Sequence, residues 1–94
     1  MDPTTDAAFR AKTLRSFTDG EVLRSIPARQ KPRLVVLEWL LERFEAGQAY
    51  PEREVNELIA RSHEDTATLR RELVEWGYLE RTDGIYRVAG GSRP

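Results

Sequence analysis

The sequence predicts an α+β fold, mainly α: a winged helix-turn-helix carrying an additional N-terminal helix and arm. Three observations predict it. Two amphipathic helical stretches lie between Pro51 and Trp76, a very short polar connection from Ser62 to Asp65 joins them, and a strand–turn–strand pattern follows Gly77 directly, closed by Asp83-Gly84. Asp-Gly between two short apolar-alternating runs is a strong hairpin cue, because both residues tolerate the positive φ of a type I′ turn. Parallel strands would need a crossover of a dozen or so residues, and no such chain is available between these runs. At 94 residues the chain suits one small domain with a modest core. The expected layout is a disordered N-terminus over 1–8, a single domain over 9–88 and a disordered tail over 89–94.

Taken in order, Phe9, Leu14 and Phe17 have helical spacing, so a short helix is expected from Ala8 to Phe17, ending at the Thr18-Asp19-Gly20 turn signal. Val22 to Pro27 reads as a short strand or an arm across the core. Pro27 and Pro32 bracket a basic loop, and Pro32 suits a helix start, where its missing N–H is not needed. The next helix is expected to reach about Glu45, with Leu34, Val35, Leu37, Leu41 and Phe44 on or near one face, widened by Trp39 and Leu40, and Ala46-Gly47 stopping it. Gln48-Ala49-Tyr50 is short and extended, placed to pair with the wing strands. Pro51 opens the following helix, Glu52 and Glu54 complement its dipole, and Val55, Leu58 and Ile59 form its buried face. Ser62 is the expected N-cap of the last helix, with Asp65 completing a capping box. Leu69, Leu73, Val74 and Trp76 are its expected core face, and Gly77 its C-terminal stop. Residues 78–81 and 85–88 then form the hairpin.

Composition narrows the class. Hydrophobic residues make up 39% and charged residues 33%, a balance that folds rather than staying disordered. No apolar run approaches the roughly 20 residues of a spanning helix. There is no basic-then-apolar leader and no cysteine, which together point to a cytoplasmic protein without disulfides or thiolate metal sites. The net charge of −1 conceals an asymmetry: residues 1–36 carry seven basic and four acidic side chains, and residues 37–94 carry eight and twelve. A basic patch must therefore come from how the fold arranges Arg10, Lys12, Arg15, Arg24, Arg29, Lys31 and Arg33.

The last helix raises a conflict between fold and charge. A recognition helix presents its N-terminal residues to base edges, and here they are His63-Glu64-Asp65. Carboxylates accept from cytosine N4, but without surrounding cations they are repelled by a phosphate-lined groove. Two readings stand: Arg70 and Arg71 contact phosphates further along, or Glu64 and Asp65 cap the helix while the arginines pair with glutamates. The loop Arg24 to Arg33 is the best electrostatic candidate for phosphate contact, against a solvated or internally paired loop. His63, the only histidine, reads as a structural hydrogen-bonding group, since adjacent His63, Glu64 and Asp65 cannot converge on one metal from a regular helix. Trp39, Tyr50 and Trp76 fall on apolar stripes and read as core aromatics. No cysteine nucleophile, Gly-rich phosphate loop or GxSxG motif supports an enzyme, and no cofactor is expected.

Several phrases carry a family resemblance: Ile26-Pro27-Ala28, Glu54-Val55-Asn56, His63 with Asp65, and Leu69-Arg70-Arg71 followed by Leu73-Val74. Over about Phe17 to Val88 they closely resemble the bacterial domain of unknown function 2087 (DUF2087). That domain occurs alone or appended to ArsR-type helix-turn-helix regulators. The resemblance implies a regulatory context and places His63, Asp65, Glu54 and Asn56, with Arg70 and Arg71, in the family pattern. Two positions depart from it. Pro51 stands where Thr or Ser is usual, losing a hydroxyl cap, and Pro32 stands where a basic residue is usual, thinning the basic loop.

The functional expectation is a DNA-binding or transcription-associated regulatory module, with phosphate contacts from Arg29, Lys31, Arg33, Arg70, Arg71 and Arg87. The alternative is a protein–protein interaction module on the same scaffold. The expected partners are duplex DNA or a protein, with no membrane.

Overall fold

The computed structural model describes residues 7–89. Most of both expected disordered termini lies outside the described residues, but Ala7 and Ala8 are helical and the Ala89 N–H bonds the Tyr78 carbonyl at 2.9 Å. The described residues form four helices and two small antiparallel sheets, so the α+β expectation holds. In order they are α1 (Ala7–Phe17), β1 (Thr18–Asp19), β2 (Val22–Leu23), α2 (Gln30–Leu41), β3 (Tyr50–Pro51), α3 (Glu52–Ala60), α4 (Thr66–Glu75), β4 (Leu79–Thr82) and β5 (Ile85–Val88).

The expected arm is a tight hairpin. Asp19 pairs with Val22, and Gly20 takes φ +65° at the first turn position, as a type II′ turn requires. Leu23 then drops into the core, and its N–H bonds the Ser62 carbonyl at 2.8 Å, tying the hairpin to the end of α3.

Helix α2 starts two residues before Pro32 rather than at it. Pro32 still costs no hydrogen bond, because the first four N–H groups of a helix lack intrahelical partners. The helix also stops at Leu41, short of Glu45. The next turn tightens into i→i+3 bonds from Glu42, Arg43 and Phe44 back to Trp39, Leu40 and Leu41. That turn swings Phe44 inward, edge-on to Tyr50 with ring centroids 5.1 Å apart, while the Tyr50 hydroxyl accepts the Glu45 N–H at 2.8 Å.

The core sits where α2, α3, α4 and the second sheet meet. Val36, Leu37 and Leu40 of α2, Val55 and Ile59 of α3, and Leu69 and Leu73 of α4 close over Leu79, Tyr86 and Tyr50. The sheet runs β3-β5-β4, with Tyr50 opposite Tyr86 and Thr82 opposite Ile85. Asp83 and Gly84 both have positive φ, 51° and 78°, giving the type I′ turn read from the sequence. Pro51 precedes α3 as its N-cap instead of opening it.

Two expectations for α4 are corrected. Its N-cap is Asp65, whose carboxylate accepts the Thr68 N–H at 3.3 Å, and Ser62 is instead buried with its hydroxyl unpartnered among the described residues. The chain needs residues 61–65 to turn from α3, so the cap falls three positions later. Trp76 is 45% exposed. Helix α4 ends in a Schellman motif, with Tyr78 N–H to Leu73 O at 2.8 Å, Gly77 N–H to Val74 O at 3.0 Å and Gly77 at φ +83°. This reversal turns Tyr78 onto the core and leaves Trp76 outside. No helix among the described residues is long and apolar enough to cross a membrane.

Candidate functional site

The α3–α4 pair with the β4–β5 hairpin carries Arg70, Arg71 and Arg87, three of the residues expected from the sequence to contact phosphates. At about 3.6 residues per turn, Leu69 and Leu73 define the inward side of α4, and Ala67, Arg71 and Glu75 share the opposite side. All three outward residues are exposed. Arg70 and Glu72 fall on the two flanks between, and each flank is tied to a neighbouring element.

On one flank Arg70 donates to the Asn56 side-chain oxygen at 2.6 Å and lies 3.8 Å from the Glu52 carboxylate, both on α3. Glu52 in turn accepts from the Tyr86 hydroxyl of β5 at 3.1 Å. Burial, then this bond to an anion, pushes the Tyr86 phenol above its ordinary range, so it stays a donor. The chain Asn56–Arg70–Glu52–Tyr86 thus joins both helices to the hairpin, and Arg81 lies over the Tyr86 ring at 6.0 Å.

On the other flank Glu72 receives both prongs of the Arg33 guanidinium, one at 2.7 Å from Nε and one from Nη2. The remaining Arg33 nitrogen donates to the Pro27 carbonyl at 3.1 Å. This fork is the strong form of a carboxylate pair, and it pushes the guanidinium further above its ordinary range. Arg33 fastens the start of α2 to the middle of α4.

The remaining expected residues are placed separately. Arg29 is exposed at the N-cap of α2, and Lys31 extends from its first turn over the Phe9 ring of α1 at 5.5 Å. Arg87 is exposed on β5 opposite Glu80. His63 accepts the Asp65 N–H on Nδ1 at 3.0 Å, the structural hydrogen bond expected of it. The Thr68 hydrogen bonds hold the Asp65 carboxyl below the usual aspartate range. Asn56 therefore belongs to the Arg70 network, His63 and Asp65 form the cap, and Glu54 stands exposed in the first turn of α3. The four family-pattern residues do not form one site.

Sequence reasoning missed Glu72 as the partner of Arg33, and Tyr86 as the far end of the Arg70 network. These contacts bridge 39 and 34 positions, beyond any local spacing signal. Among the described residues no three His, Asp or Glu side chains gather as a metal site. The arrangement offers exposed cations for anion contact.

No curated protein and no solved structure matches the chain. A family model matches residues 22–88, from β2 to the end of β5 and leaving α1 outside. The chain belongs to the family described as "Uncharacterized protein conserved in bacteria (DUF2087)".

Proposed function

We propose that this chain is a winged helix-turn-helix module, with α4 as the presented helix and β4–β5 as the wing, acting in transcription-associated regulation by docking on duplex DNA through its phosphates. The observation that carries the reading is Arg71. It sits mid-way along the outward stripe of α4, exposed and without a salt bridge among the described residues, and its charge acts on the Asp65 carboxylate at the helix cap. Arg29 and Arg87 are exposed in the same way, whereas Arg33 and Arg70 act as internal ties. The Lys31 ammonium lies over the Phe9 ring, 5.5 Å from its centroid, and the residue is exposed.

Base reading is not part of the proposal. The outward stripe offers one arginine and one glutamate, and the first turn is preceded by Glu64 and Asp65, which disfavour entry into a groove lined by phosphates. Affinity from phosphate neutralisation falls with salt at about 0.9 log units per contact per log unit of salt. The test is fluorescence anisotropy of a labelled random-sequence duplex over a salt series. The expected result is salt-sensitive binding whose slope shallows by about 2 in Arg71→Ala/Arg87→Ala. Absence of binding at low salt would overturn the reading.

The second reading, a protein-interaction module, is favoured by Trp76, a large apolar side chain exposed at the end of α4. It predicts no DNA binding at low salt, and self-association or partner capture that Trp76→Ala abolishes.

A further inference from the structure

We infer that α1 and the first turn of α2 form a second, more strongly cationic surface that lies along the phosphates of one nucleic-acid strand. The inference rests on the DNA-docking reading above and relocates its main contact away from α4.

The sequence of α1 contains no carboxylate. Its inward side carries Phe9, Thr13 and Phe17, with Thr13 buried and Phe17 packed on the core. Helical periodicity then puts Ala8, Ala11, Lys12 and Arg15 on the outward side, and all four are exposed. Two further cations meet this helix, and a third precedes one of them in sequence. Lys31 reaches the Phe9 ring near one end, and Arg29 is two residues before Lys31. At the other end the Arg24 guanidinium donates to the carbonyls of Arg15 and Ser16 at 3.1 and 3.2 Å.

Lys12, Arg15, Arg24, Arg29 and Lys31 are exposed, and none is ion-paired among the described residues. The acids of α2 that face α1, Glu38 and Glu42, are held by Arg10 on its inner flank. Of the nearby hairpin acids, Glu21 lies toward Arg43, whose guanidinium donates to the Glu21 carbonyl at 3.4 Å. Among the described residues Asp19 is the remaining exposed carboxylate next to α1.

From Phe9 to Ser16 the helix advances roughly 10 Å at 1.5 Å per residue. Phosphates of one strand follow every ~3.4 Å of duplex axis but lie farther apart along the winding strand itself, so a row of this length meets about two of them. The outward side chains between the cations are alanines, too small to anchor in a bilayer, where an interfacial helix needs large apolar groups. Charge and shape together favour a nucleic-acid backbone over an anionic membrane.

The test measures anisotropy of the same random-sequence duplex with Lys12→Ala/Arg15→Ala, beside wild type and Arg71→Ala/Arg87→Ala. Both α1 positions are exposed, and alanine favours the helix, so circular dichroism is expected to be unchanged. Loss of two contacts is expected to shallow the salt slope by about 2 and weaken low-salt affinity roughly tenfold or more. If this variant binds as wild type while Arg71→Ala/Arg87→Ala weakens, the inference falls and the DNA-docking reading stands. If wild type itself fails to bind at low salt, the DNA-docking reading falls and the inference with it. Tighter binding to anionic phospholipid vesicles than to duplex, lost in the α1 variant, would overturn the nucleic-acid occupant.

Discussion

Helices α1 and α4 each turn one stripe of residues to solvent, and the two stripes differ in charge and in how firmly they are held. Helix α4 shows Ala67, Arg71 and Glu75 outward, while α1 shows Ala8, Ala11, Lys12 and Arg15. Two fully buried leucines, a carboxylate cap, a Schellman stop, the Arg33 fork and the Arg70 network all hold α4 in place. Helix α1 has one buried residue, Thr13, and is tied to α2 by Arg10 and by Lys31 over Phe9. On the best-anchored helix Arg70 and Glu72 are committed to anchoring it, and Arg71 and Glu75 are not. On the loosely anchored helix Arg10 is paired, while Lys12 and Arg15 are exposed with no ion pair among the described residues.

The contrast in anchoring is tested most strongly in the core. Leu73→Ala removes a fully buried side chain from α4 and is expected to cost about 3 kcal/mol in chemical denaturation. Leu14→Ala, at a half-buried position of α1, is expected to cost about 1 kcal/mol or less. Equal losses would break the comparison.

Double-mutant cycles on two ion pairs sharpen it. The Arg33–Glu72 fork is mostly shielded from solvent and is expected to show a coupling of about 1–2 kcal/mol. Arg10–Glu42, at 2.5 Å but with Glu42 largely exposed, is expected to show about 0.5 kcal/mol and to weaken with salt.

A third set locates the start of α4. Ser62→Ala deletes a buried, unpartnered hydroxyl and is expected to raise stability by about 1 kcal/mol, opposite to the loss an N-cap serine would give. Asp65→Ala is expected to lower the melting temperature. Because the folded state holds the Asp65 carboxyl below its ordinary 3.8, its contribution is present above that pH. It is lost as pH falls through the lower folded value. Asp65→Asn keeps a capping oxygen and is expected to remove this small acid dependence; an unchanged pH profile would show that the carboxylate does not act there.

Much of the backbone was legible because its signals are local. Asp83-Gly84 and Gly77 are needed where φ is positive, and the i, i+3, i+4 spacing of Val55, Leu58 and Ile59 marks a buried face within a few residues. Boundaries were less legible: the end of α2 depends on Phe44 meeting Tyr50, and the start of α4 on how many residues the turn from α3 consumes. The candidate site was least legible. Arg33 and Arg70 look like free cations in a string of letters, and only their distant partners remove them from solvent.

By itself, then, the amino-acid order determined the helices, the hairpin turns, most of the core and the presence of excess cation in the first third of the chain. Local backbone preference and apolar periodicity encode all of these. Tertiary structure alone decided which cations remain available, because an ion pair forms between side chains brought together by the fold across tens of residues. It joined Arg33 to Glu72 and Arg70 to Asn56 and Glu52, left Arg71 exposed, and lined Lys12, Arg15 and Arg24 along α1 with Lys31 over Phe9 near its start.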